Sequence, residues 1–167
     1  TTDVFVHGSG ESPAVVTGNL WRNVADEFPD EFEGLAGPAA RITPIPSGNP
    51  AILNPGYYPD GISLKNGTLT LTPGIYVLGG EGLQITGGNF YANGVLLYIT
   101  GSSQANLNLT GSGNVEISPM TVGQLPPGSP VEYSRISIFQ DPSLNAKKNA
   151  AKITGTEQMH VTGTIYL

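Results

Sequence analysis

The sequence predicts an all-β chain wound as a right-handed parallel β-helix, with a short helical and extended cap at its N-terminal side. Three observations lead there. Glycine and proline, 23 and 14 of 167 residues, recur between short apolar runs, the punctuation of many short strands. Within those runs apolar residues alternate with polar ones, so each strand has one face to bury. Two stretches also repeat. Pro55-Gly56-Tyr57-Tyr58 is followed by Gly61-Ile62-Ser63-Leu64, and Pro73-Gly74-Ile75-Tyr76 by Gly82-Leu83-Gln84-Ile85. The Pro-Gly pairs lie 18 residues apart and the later parts 21, and an internal period of about 20 is the mark of a solenoid coil.

In chain order, Asp3 to His7 reads as a short strand. Leu20 to Phe28 has helical spacing at 20, 21, 24, 25 and 28, with Asn19 as N-cap and Pro29 as stop. Trp21 is expected to anchor this helix on the solenoid. Asp26, Glu27, Asp30, Glu31 and Glu33 form an acidic run, and Pro38, Pro44, Pro46 and Pro50 mark an extended connection. Residues 1–50 are therefore read as a cap and residues 51–167 as the solenoid.

The solenoid strands are expected at Leu69/Leu71, Ile75/Val77, Leu83/Ile85, Val95/Leu97/Ile99, Leu107/Leu109, Val115/Ile117, Ile136/Ile138, Met159/Val161 and Ile165/Leu167. Residues 119–135 break the rhythm and read as a loop extruded from one coil. An antiparallel β-sandwich is the alternative, because Asn66-Gly67 and Asn93-Gly94 are also hairpin signals.

Only 12% of residues are charged, about half the usual share, so Asn, Ser, Thr and Gly must cover the surface. The net charge of −6 without a basic stripe argues against nucleic acid as a partner. Absence of cysteine excludes a disulfide framework and thiolate metal sites. No apolar run approaches the length of a membrane span. The chain starts at Thr1 without a secretory leader, which reads as a processed form or fragment of a secreted or cell-surface protein.

The search for chemistry is largely negative, and no enzyme is expected. Asp60, Glu81, Glu116, Glu132, Asp141 and Glu157 fall in different coils or turns, with no close carboxylate pair of the kind glycosidases need. His7 and His160 are too far apart in sequence for ligand spacing, and no Gly-x-Ser-x-Gly elbow occurs. No cofactor is expected. The acidic run could hold Ca²⁺, but it reads better as a solvated face. Asp141, between an apolar strand and Pro142, is the polar residue singled out, with a turn cap as its competing role. Tyrosines stacked on an outer face could hold sugar rings, although packing is their commoner role. Two sequons, Asn66-Gly67-Thr68 and Asn108-Leu109-Thr110, complete the inventory.

Several stretches carry a family resemblance. They are Pro55 to Leu64, Leu71-Thr72-Pro73-Gly74-Ile75-Tyr76-Val77-Leu78-Gly79-Gly80-Glu81-Gly82-Leu83, Gly94-Val95-Leu96-Leu97-Tyr98-Ile99-Thr100-Gly101, Ile136-Ser137-Ile138-Phe139-Gln140-Asp141 and Val161-Thr162-Gly163-Thr164-Ile165-Tyr166-Leu167. In this order they resemble the C-terminal region of TadG-like pilus-assembly proteins. That resemblance implies a bacterial envelope protein, in which such repeats accompany a membrane helix and an adhesion-type domain. Leu71-Thr72-Pro73-Gly74-Ile75-Tyr76 is also similar to the coil opening of a bacterial ice-binding β-helix family. That family would need Thr at matching coil positions, and Thr68, Thr70, Thr72, Thr86, Thr100 and Thr110 are irregularly spaced.

The chain stops on the apolar strand Ile165-Tyr166-Leu167 without a polar cap. This makes those residues the candidate assembly interface, for a second copy docking head to tail or for another envelope or pilus protein. The expected function is a non-catalytic structural or adhesive envelope component. A binding module for ice or glycan is the alternative, and a polysaccharide-active enzyme the third.

Overall fold

The computed structural model describes residues 4–6, 20–22, 32, 34–39, 51–101, 105–144, 151–154 and 158–167. Two strands precede the solenoid, β1 (Val4–Val6) and β2 (Leu20–Arg22), and they pair in parallel. Fourteen more follow: β3 (Ile52–Leu53), β4 (Gly56–Tyr58), β5 (Ile62–Leu64), β6 (Thr68–Leu71), β7 (Gly74–Leu78), β8 (Gly82–Ile85), β9 (Asn89–Asn93), β10 (Val95–Ile99), β11 (Asn106–Leu109), β12 (Val115–Ser118), β13 (Ile136–Gln140), β14 (Lys152–Ile153), β15 (Met159–Val161) and β16 (Thr164–Tyr166).

Every third strand stacks. β3, β6, β9, β12 and β15 form a first sheet, β4, β7, β10, β13 and β16 a second, and β5, β8, β11 and β14 a third. All these pairings are parallel. The chain is thus a right-handed parallel β-helix of about four turns with three sheets as its walls. An antiparallel sandwich is excluded. The two Asn-Gly pairs sit at coil corners, where Gly67 (φ 78°) and Gly94 (φ 73°) turn the chain into the next wall instead of folding it back.

The core is a set of vertical columns that fill the tube. Leu71, Ala92, Ile117 and Val161 stack in one; Leu64, Ile85, Leu109 and Ile153 in another. Tyr58 and Tyr76 stack inside, with ring centroids 5.8 Å apart, and the Tyr76 hydroxyl has the carbonyls of Thr72 at 2.7 Å and Leu53 at 2.9 Å as acceptors for its one proton.

Several expectations need correction. The repeat does not align the two Pro-Gly pairs: Gly56 lies beside Tyr76 and Tyr58 beside Leu78, an offset of 20, whereas Ile62 lies beside Leu83 at the expected 21. Each wall sets its own spacing because corner lengths differ. The helix expected from Leu20 is absent at 20–22, which are strand. A nine-residue helix is marginal alone, and Leu20-Trp21-Arg22 finds a backbone partner in Val4–Val6. Residues 23–31 and 33, which hold the whole acidic run, and residues 40–50 of the Pro-rich connection lie outside the described residues, and so do the expected helix end at Phe28 and Pro29 and the Ca²⁺ reading of that run. Ile75 and Val77 were expected to face the core; Tyr76 and Leu78 do so instead.

The second sheet is buried on both faces. All residues of β10 and β13 are buried. On its outer face Tyr57, Val77, Tyr98, Phe139 and Tyr166 form one register column. Residues 119–135, expected as an extruded loop, fold back over this face through two 3-10 turns, Val122–Gln124 and Val131–Ser134. Met120 and Tyr133 from this insertion and Phe32 from the N-terminal side join Val77, Leu96, Tyr98 and Phe139 in a second apolar cluster.

Candidate ligand-binding face

The three outer walls differ, and the difference locates the site. The second sheet's wall is closed. Phe32 meets Tyr166 edge-on at 5.8 Å, and Tyr166 meets Phe139 at 5.4 Å. The Tyr133 hydroxyl donates to the Ala36 carbonyl at 2.5 Å, tying the insertion to the 34–39 segment. Gly37 passes so close to the Tyr98 hydroxyl that a Cβ there would overlap it.

Asp141 lies at the edge of this closed wall. Its carboxylate accepts from the Thr100 hydroxyl at 2.6 Å and from the Ser143 backbone N–H at 2.9 Å. The second bond is the turn cap weighed from sequence. Partial burial is the largest single influence on its pKa and pushes it up, but bonds from Thr100, Ser143 and Tyr98 outweigh this and hold it at about 2. Tyr98 is driven the other way, to about 12, first by burial and then by the neighbouring Asp141. The pair is a polar latch at the edge of the closed wall.

The aromatic residues sort by wall. Tyr58 and Tyr76 are inside the tube, Tyr98 and Tyr133 are buried under the covering, and Tyr57 and Tyr166 are packed against that same cluster. Tyr91 alone among the described tyrosines stands on an open polar wall, half-buried on β9.

That wall is the outer face of the first sheet. One file runs Ile52, Thr70, Tyr91, Glu116, His160 through five consecutive strands of the sheet, apolar and 58% exposed at Ile52 and polar or aromatic from Thr70 onward. Polar files flank it on both sides. Asn89 donates to the Thr68 hydroxyl at 3.4 Å and accepts from the Asn114 N–H at 3.1 Å. Asn93 donates to Glu116 at 3.4 Å and accepts from the Ser118 hydroxyl at 3.1 Å. These rung-to-rung bonds fix side chains that would otherwise sample many rotamers, lowering the ordering cost of binding.

The third sheet's outer wall is a tighter amide ladder. Gln84 donates to Asn106 at 2.5 Å and accepts from Asn108 at 3.1 Å, which leaves Asn108 Oδ1 without a partner. Asn108 of the second sequon is therefore engaged and half-buried, whereas Asn66 of the first is exposed at a corner. Thr86, Thr110 and Thr154 stack at the corner that follows this wall, since Leu64, Ile85, Leu109 and Ile153 are in register. Their spacing of 24 and 44 in sequence hides that file, because the covering insertion intervenes.

The remaining candidates do not converge. Among the described residues no three His, Asp or Glu side chains gather as a metal site. Asp60 and Glu81 share one corner on successive turns, where the Glu81 N–H reaches the Asp60 carbonyl at 3.4 Å. His160 is exposed. Two concavities near the first turn are lined by Ser63, Leu64, Lys65 and Asn66, with Ala51 and Gly67 to Leu69 alongside. They contain no acid. Ile165 and Tyr166 are half-buried and Leu167 is 41% exposed; Ile165 packs against the inner core and Tyr166 against the outer cluster.

The file of Tyr91, Glu116 and His160 was not singled out from sequence, because steps of 25 and 44 carry no visible period. The signal was the alternation in Asn-Phe-Tyr-Ala-Asn, Val-Glu-Ile-Ser and Met-His-Val, which places these three residues outward once register is known. Comparison of the chain with family models, with curated proteins and with solved structures finds no match in any of the three.

Proposed function

We propose that this chain is a non-catalytic adhesive module of a bacterial cell envelope, displayed outside the cell, which holds a glycan on the outer face of its first sheet. The observation that carries the reading is the Thr70–Tyr91–Glu116–His160 file with its bonded Asn, Thr and Ser flanks. A sugar offers one apolar ring face and a rim of hydroxyls. An aromatic ring among fixed amides, hydroxyls and a carboxylate matches both. Strand neighbours repeat at about 4.8 Å, so a polysaccharide laid along the tube axis would meet a hydroxyl, aromatic, carboxylate or imidazole side chain at each step from Thr70 to His160. The test is a glycan array probed with the labelled chain. Retention on extended bacterial glycans supports the reading, and no retention on any glycan overturns it.

A second reading is end-to-end association through the last turn. Ile153, Met159, Val161 and Ile165 there are half-buried, while Leu53, Tyr58, Ile62 and Leu64 of the first turn are only 4–6% exposed. A second copy or another envelope or pilus protein on this end would bury the half-exposed apolar groups. Light scattering over a concentration series checks it: growth in mass that Ile165→Glu abolishes supports it, and an unchanging monomer contradicts it.

A further inference from the structure

We infer that Asn66 is a site of spontaneous covalent modification, converting to aspartate and isoaspartate through a cyclic imide, while the chemically identical Asn93 is protected by the fold. Asn-Gly occurs twice in this chain, at Asn66-Gly67 and Asn93-Gly94. In the reaction the glycine backbone nitrogen attacks the asparagine Cγ and loses its proton. A C–N bond forms, the side-chain amide leaves as ammonia, and water then opens the imide at either carbonyl. The step needs a free glycine N–H, a free asparagine amide and room to bring them together.

The two sites differ in all three. Asn66 and Gly67 are both exposed at the corner before β6. Nothing lies within 4 Å of where a Gly67 Cβ would be, and among the described residues neither the Asn66 amide nor the Gly67 N–H has a hydrogen-bond partner. Gly94 is buried against Gln124 and Pro73. Its N–H donates to the Ser118 hydroxyl at 3.2 Å, and that hydroxyl and Glu116 hold the Asn93 amide from the next turn.

Conversion has a local consequence. Gly88 packs directly on the Asn66 backbone, and the Asn89 N–H donates to the Gly67 carbonyl at 2.8 Å. Isoaspartate lengthens the main chain at this contact. It also places a negative charge beside Lys65 and destroys the Asn66-Gly67-Thr68 sequon.

The experiment incubates the native chain in mildly alkaline buffer and follows both sites by peptide mapping with mass spectrometry, with a urea-unfolded sample alongside. Asn66 is expected to convert at least about tenfold faster than Asn93 in the native chain, because Asn93 must first break its bonds. In urea the two rates converge. Asn66→Gln removes the fast conversion, and Ser118→Ala accelerates Asn93. Equal native rates at the two sites overturn the inference, and so does an Asn93 rate that Ser118→Ala leaves unchanged.

Discussion

The first and second sheets are walls of the same tube and both are parallel, yet one is open on its outer face and the other is closed. β12 reads Val-Glu-Ile-Ser, with buried and half-buried positions alternating. β10 reads Val-Leu-Leu-Tyr-Ile, with every position buried. The solenoid therefore has two cores. One fills the tube; the other lies outside the second sheet, made by Phe32, the insertion carrying Met120 and Tyr133, and the Leu96, Tyr98 and Phe139 side chains. Among the described residues no segment folds over the outer wall of the first sheet, so its outward side chains stay at the surface.

The largest effect is expected at Phe139. It is fully buried, touches both Tyr98 and Tyr166, and belongs to the outer cluster. Phe139→Ala is expected to cost about 3–5 kcal/mol in chemical denaturation. Glu116→Ala on the open wall should stay within about 0.5 kcal/mol. Equal costs would mean that the two walls are not different.

A pH series probes the same contrast, because the latch at the edge of the closed wall titrates at both extremes. Asp141 is held at about 2 against an ordinary 3.8, so its contribution is complete above 3.8 and is lost as pH falls toward 2. Tyr98 is raised from 10.0 to about 12, so its contribution is complete below 10.0 and is lost as pH rises toward 12. Thermal unfolding across pH should fall off on both limbs, and Asp141→Asn should flatten the acid one. An acid limb unchanged in that variant would remove Asp141 from the latch.

A smaller effect tests the inner core. Gln140 follows the register column of Leu78 and Ile99, is 4% exposed, and its Oε1 has no partner. An unsatisfied buried carbonyl is costly, so Gln140→Leu should raise stability by about 1 kcal/mol. A loss of stability would show that the amide is satisfied in solution.

The tube was legible in the sequence because its signal is local. Val95, Leu97 and Ile99 alternate, and Gly61-Ile62-Ser63-Leu64 repeats as Gly82-Leu83-Gln84-Ile85 at the true register. The outer core was not, since nothing near Tyr98 in sequence announces Tyr133 or Phe32. Ile75 and Val77 were assigned to the wrong side for the same reason: on a strand buried on both faces, alternation no longer distinguishes inside from outside. The candidate ligand file was hidden because it is assembled across turns of unequal length. Asp141, by contrast, was visible with its turn-capping role, since the Asx bond to Ser143 spans two residues.

The division of labour between the walls is tested most directly by measuring glycan retention and unfolding free energy together for Leu96→Ala and Tyr91→Ala. Leu96→Ala is expected to lose about 2–5 kcal/mol and to keep retention while folded, whereas Tyr91→Ala loses retention at a cost of about 1 kcal/mol or less. A neutral Leu96→Ala, or a Tyr91→Ala chain retained like the wild type, would contradict that division.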